Sequence, residues 1–197
     1  FEKIARSDVF IVLDNIQFNK NGWQNRNKSK TAQGVQLLTV PVYQRHQQDL
    51  DRVRINNTTP WRTKHWRSLE QAYGKAPYFE RYAPGLEAIY AQRWEWLNDL
   101  NGHMLHFFLE ALGIGTRIEY ASALEAPGAA TERLVNLVQA VGGTEYYSGA
   151  YALDVYLDAA RLEAAGIGLR LQEWSAPVYP QRHGPFEPDL SIVDLLF

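Results

Sequence analysis

From residue 116 onward the chain alternates short β-rich runs with single amphipathic stretches: "TRIEYA", "ATERLVNLVQAVGG", "TEYYSGA", "LDVYLDAARLEAAG" and "IGLRLQEW". Strands separated by one helix each, with glycine stops, need crossover connections, and crossovers join parallel strands. The pattern predicts an α/β fold, a mostly parallel sheet flanked by helices. Upstream, "SDVFIVLDNI" reads as a buried strand left at Asp14, and the preceding "FEKIAR" as the end of a helix. "AQG" at 32–34 supplies a turn before "VQLLTVPV", which predicts a β-hairpin insertion pairing 26–30 with 36–41. "DRVRIN" reads as a half-exposed strand.

Between these parts lies a helical middle segment. "PWRTKHWRSLEQAYG" opens on a first-turn proline and stops at Gly74, followed by "YFERYAPGLEAIYAQ" and "EWLNDLNGHMLHFFLEALG". In the last of these, Trp96, Leu97, Leu100, Met104, Phe107, Phe108 and Leu112 fall on one half of the wheel, the half expected to face the core. "DLSIVDLLF" predicts a closing helix. At 197 residues the chain is expected to form one domain over 1–197 with a single core.

Cysteine is absent, which excludes disulfides, thiolate metal sites and a cysteine nucleophile, and fits a cytoplasmic protein. No apolar run approaches the roughly 20 residues that span a bilayer, so no membrane span is expected. The chain opens at Phe1 without a methionine, and residues are expected to be missing at both ends.

The net charge of −2 conceals a segregation. Residues 15–67 hold ten Lys/Arg against Asp49 and Asp51, a net of +8, whereas residues 68–197 hold eight against seventeen Asp/Glu, a net of −9. Such asymmetry points to an anionic ligand for the first third. The acidic remainder would repel a long polyanion, so nucleic acid is not expected.

"NKNGWQNRNKSK", residues 19–30, concentrates that charge. Side chains alternate along an extended segment, so Arg26, Lys28 and Lys30 point one way and Asn25, Asn27 and Ser29 the other. An arginine fork and lysine point charges suit phosphate or carboxylate oxygens, with Trp23, Asn25 and Asn27 available to stack on and hydrogen-bond a ring. A charged edge strand guarding against aggregation fits the same spacing. Asp14 ends a strand where open α/β sheets place ligand-contacting residues, although it would equally cap a turn. Ser148 and Gly149, read as a strand-to-helix turn, offer backbone N–H groups to a phosphate or serve ordinary turn chemistry. The long loop "SAPVYPQRHGPFEPD" carries Tyr179, Gln181, Arg182 and His183, with His183 the best placed histidine for proton transfer. Asp99, His103, His106 and Glu110 share one helix face but read as its solvated side, so no metal is expected, and no motif asks for a cofactor.

"DVFIVLDNIQFNKNGWQNRNKSK", "LLTVPV", "YGKAPYF", "YYSGAYALDVYLD", "LQEWSAPVYPQ" and "FEPDLSIVDLLF" together resemble the WbqC-like protein family, from end to end. The resemblance implies a His-Gln-Pro segment and a "GYF" whose Phe is Phe1 before this chain, and an Asn-x-Gly after it. Many members are associated with O-antigen and other surface-polysaccharide clusters, which implies a role in nucleotide-sugar or glycan modification. Positions matching its motifs are Asp14, Gln17, Lys20, Trp23, Asn25, Arg26, Asn27, Lys28, Pro41, Ser148, Gly149, Tyr151, Tyr179, Gln181, Ser191 and Asp194.

The combined expectation is a transferase-type enzyme that binds a phosphorylated, nucleotide-activated small molecule. Arg26 and Lys28 would neutralise its phosphates. Trp23, Asn25 and Asn27 would orient the base or sugar, and Asp14 would act as general base with His183 as its rival. Two alternatives stay open. One is a non-catalytic glycan-assembly or binding factor whose groove is lined by Trp23, Trp61, Trp66 and Tyr179. The other is an acyl or aminoacyl transferase acting on an amino sugar through Lys20 or the histidine of the implied His-Gln-Pro segment. Nothing in the sequence sets an oligomeric state.

Overall fold

The computed structural model describes residues 1–19, 22–43 and 47–197. They form two compact units, one of residues 1–15 and 114–175, the other of residues 16–113 and 176–197.

In the first unit, α1 (Glu2–Ala5) leads into β1 (Val9–Val12), an uninterrupted Val-Phe-Ile-Val run that pairs in parallel with β6 (Arg117–Tyr120), Val9 opposite Arg117 and Val12 opposite Tyr120. After α5 (Ala130–Ala140), a second parallel pair joins β7 (Glu145–Gly149) to β8 (Gly168–Gln172). The crossover between them was expected as one helix and is two, α6 (Tyr151–Val155) and α7 (Ala159–Ala164). Thr131 explains the break. Its hydroxyl donates to the Tyr156 carbonyl at 3.1 Å and accepts from the Asp158 N–H at 2.9 Å, drawing those backbone groups out of a helical ladder. Asp158 then caps α7 through the Arg161 N–H. The helix ends where Gly166 takes φ +72°, a left-handed position that glycine adopts without a Cβ penalty.

In the second unit, β2 (Arg26–Thr31) and β3 (Gly34–Thr39) form the expected hairpin, registered from Arg26 opposite Thr39 to Thr31 opposite Gly34, so the partner starts two residues earlier than the sequence reading placed it. Gly34 turns the chain at φ +110°, and the Thr31 hydroxyl donates to its carbonyl at 2.9 Å. A short antiparallel pair, β4 (Val42–Tyr43) with β5 (Arg54–Ile55), precedes the helices α2 (Trp61–Tyr73), α3 (Phe79–Ala91) and α4 (Leu97–Ala111). The closing helix α8 (Ile192–Leu196) is capped by the Ser191 hydroxyl.

The fold is α/β, yet among the described residues the strands associate only in twos: two parallel pairs in the first unit and two antiparallel pairs in the second. The mostly parallel sheet expected from the alternation is therefore corrected to small separate sheets. Alternation identifies crossovers but not how many strands they assemble. The expected single core is likewise two buried clusters. One gathers Val138, Ala152, Leu157, Leu162 and Ile167 of the first unit. The larger one packs α2, α3, α4 and α8, with Leu69, Tyr73, Leu86, Leu97 and Leu100 nearly inaccessible. Among the described residues no helix is long and apolar enough to cross a membrane.

Candidate functional site

A cleft of about 150 Å³ opens in the second unit beneath the β2–β3 hairpin, between it and the inner faces of α2, α3 and α4. Its mouth is polar: Trp23, Gln24, Asn25, Arg26, Asn27 and Lys28 line it. Trp23 is 61% exposed, a large departure for an indole, and two cations converge on it. The Arg26 guanidinium carbon lies 5.6 Å and the Lys28 ammonium 5.5 Å from its ring centroid. A π system attracts both cations without cancelling their charge, so the positive field is kept beside Trp23.

The asparagines contribute differently. Asn25 closes the hairpin base, its side-chain amide donating to the Val40 carbonyl at 2.9 Å while its own carbonyl accepts from the Val40 N–H. Asn27 turns its oxygen back to the Lys28 N–H at 2.8 Å. Opposite them, Asn101 of α4 donates to the Gln24 carbonyl at 2.8 Å, which fastens the chain before β2 to the helical wall.

The floor is apolar: Leu38, Val40, Leu69, Leu86, Leu100, Met104, Phe108 and Val193, with His65 and Tyr90 set among them. His65 stands on the same stripe of α2 as Trp61 and Leu69. Its ring meets Trp61 edge-on at 5.3 Å and Tyr90 at 5.9 Å. Burial lowers its pKa from the usual 6.5 to about 4, against the opposing pull of a hydrogen bond to the Thr39 backbone, so it is neutral near pH 7. Burial also pushes the Tyr90 hydroxyl far up, keeping it protonated. A lone histidine on an apolar helical stripe was the available sequence signal for this wall.

Lys30 departs from the cationic face expected of it. Its residue is 1% exposed, and its ammonium donates to the Gln181 side-chain oxygen at 3.0 Å and to the Pro185 carbonyl. Its backbone N–H reaches the Tyr73 hydroxyl at 2.9 Å, which donates in turn to Asp194 at 2.8 Å. Tyr179 donates to the other Asp194 oxygen at 2.9 Å, and burial together with that carboxylate pushes its hydroxyl up to about 12. The Gln181 amide is returned to the chain through Glu187, donating to its carbonyl at 2.9 Å and accepting from its N–H at 2.8 Å. His183, at φ +62°, donates from Nε2 to the Ala72 carbonyl at 2.8 Å. Tyr179, Gln181 and His183 are thus brought together, but as a clasp that holds the 176–191 loop over Lys30 and the end of α2.

The remaining sequence candidates lie elsewhere. Asp14 belongs to the first unit and is 3% exposed; its carboxylate accepts from both the backbone N–H and the hydroxyl of Ser122. Burial and then the Asp14 charge raise the Tyr120 hydroxyl beside it. Ser148 and Gly149 are the last two rungs of β7, opposite Leu171 and Gln172, and Ser148 is buried. Tyr151 begins α6 and is 76% exposed. Gln17 forms an isolated antiparallel bridge with Asp49. Lys20 lies outside the described residues. Trp61 is a core residue rather than a groove wall, and Trp66 stacks on Phe79. His103 and His106 are exposed on α4, and among the described residues no group of three His, Asp or Glu is placed to hold a metal ion.

No solved structure matches the chain. Among curated proteins it is 38% identical over 201 residues to Uncharacterized protein Rv1507c of Mycobacterium tuberculosis, covering 100% of this chain and 86% of that one. The WbqC-like protein family model matches residues 1–197, and the chain belongs to that family.

Proposed function

We propose that the protein is a transferase-type enzyme of glycan or nucleotide-sugar modification, and that the cleft in its second unit receives the phosphorylated donor. The observation that carries this reading is the convergence of Arg26 and Lys28 on Trp23 at a cleft mouth. Two fixed cations meet phosphate oxygens without reorganising, and in a partly dehydrated mouth they stabilise charge that develops on a departing phosphate. The Trp23 ring, still largely uncovered, offers a stacking face to a base or sugar.

Titration calorimetry of UDP-, dTDP- and CDP-sugars against wild type and Arg26→Ala tests the reading. Loss of one charge-assisted contact weakens binding by roughly tenfold to a hundredfold, and wild-type affinity falls as ionic strength rises. Equal affinity in both proteins, or binding to neither, refutes it.

One observation favours a non-catalytic binding or assembly factor instead. Asp14 and His183, the two candidates for proton transfer, are both engaged in hydrogen bonds that hold the fold, and neither lines the cleft. Under that reading Trp23→Ala abolishes glycan binding and added salt changes it little.

A further inference from the structure

We infer that the ligand of this cleft is amphiphilic: a phosphate ester carrying a compact apolar group of about six carbons, a short acyl chain or a single ring, which seats on the floor while the phosphate stays at Arg26 and Lys28. The inference rests on the anion-binding reading above and names the chemistry of the group attached to the anion.

The argument starts from what the floor offers. Leu38, Val40 and Met104 present partly exposed aliphatic and thioether carbon, with Leu69, Leu86, Leu100 and Phe108 packed behind them. A hydroxyl-rich sugar pushed onto them would surrender its hydrogen bonds to water for few replacements, at a cost of about 1–3 kcal/mol for each group left unmatched. Carbon gains there what a hydroxyl loses. Size sets the second limit. A cleft of about 150 Å³ matches a cavity that holds one benzene ring, below the range of roughly 300–1,000 Å³ for pockets that enclose a whole drug-sized ligand. The cleft therefore takes one fragment and leaves the rest of a larger donor outside. Met104 suits such a wall, because its unbranched thioether adapts to a chain or to a ring. The third limit is order along the ligand: cations at the mouth and carbon at the floor fix the phosphate outward and the apolar group inward.

The test is a calorimetric series at constant ionic strength: inorganic phosphate, then methyl, butyl, hexyl and octyl phosphate, with phenyl phosphate beside hexyl. Affinity is expected to rise about fourfold per methylene, to stop rising near six carbons, and to be comparable for phenyl and hexyl phosphate. Met104→Phe, which narrows the cleft with a rigid ring, and Met104→Gln, which wets it at similar volume, both flatten the rise of affinity with chain length relative to inorganic phosphate measured on the same variant. Arg26→Ala lowers every member by a similar factor. Phosphate binding that is indifferent to chain length overturns this inference and leaves the anion site standing. A rise that continues through octyl phosphate and ignores both Met104 variants also overturns it, as unspecific partition onto the surface. No binding by any probe, inorganic phosphate included, removes the anion site and this inference together.

Discussion

His65 makes the cleft sensitive to acid in a way that can be measured without knowing the ligand. Its pKa in the folded chain is about 4 against 6.5 for a free histidine. The folded state therefore refuses a proton that the unfolded chain accepts. The stability this neutrality represents is complete above about pH 6.5, is lost as pH falls below that value, and stops being lost once the folded state itself protonates near pH 4. Over that interval the linkage amounts to about 3 kcal/mol. His65→Phe keeps the ring among Trp61 and Tyr90 and removes the titration. It also removes the donor to the Thr39 backbone, at about 1 kcal/mol. The variant is thus less stable than wild type at pH 7.5 by about 1 kcal/mol and more stable at pH 4 by about 2, and the two curves cross near about pH 6. Urea denaturation of both proteins from pH 4 to 7.5 gives the difference, in which every other titrating group cancels. Proton–carbon correlation spectra of the His65 ring give its midpoint directly. A wild-type minus variant difference that stays constant with pH, or a ring midpoint near 6.5, refutes the reasoning, because either result means the ring is hydrated.

The clasp over Lys30 and the anchor at Asp14 make two further predictions. Tyr73→Phe leaves the buried Lys30 N–H without its acceptor and one Asp194 oxygen without its donor, so it costs about 2–4 kcal/mol in urea denaturation; a loss below about 0.5 kcal/mol shows that water replaces the hydroxyl. Asp14→Ala takes both acceptors from Ser122 and costs about 1–3 kcal/mol, whereas Asp14→Asn keeps an acceptor for the Ser122 N–H and costs less. Equal, negligible losses in both variants would free Asp14 from its structural role and return it to candidacy as a base.

What the sequence disclosed about this fold and cleft follows the range of each interaction. Helix stops, the hairpin turn at Gly34 and the strand at 9–12 depend on neighbours a few residues away, and periodicity finds them. Pairing β1 with β6 joins segments more than a hundred residues apart, and no local pattern says that the pair stops at two strands. The same limit divides two lysines that share one side of β2. Lys28 and Lys30 are indistinguishable by alternation, yet Lys30 is covered by a loop whose contacting glutamine is 151 residues away, whereas Lys28 meets Trp23 five residues before it. The cleft floor was hidden for a related reason. Leu69, Leu86, Leu100 and Met104 belong to ordinary apolar helical stripes, and a stripe reads alike whether its last side chain is sealed by core or left for a ligand. The hairpin base is tied through Asn25 to Val40 and the chain before it through Asn101 to Gln24, and Met104 beside them is left partly exposed while Leu69, Leu86 and Leu100 are sealed. The cations and the accessible carbon of the cleft therefore come from different elements that meet only in the fold: β2 brings Arg26 and Lys28, β3 brings Leu38 and α4 brings Met104, and no local pattern joins the three.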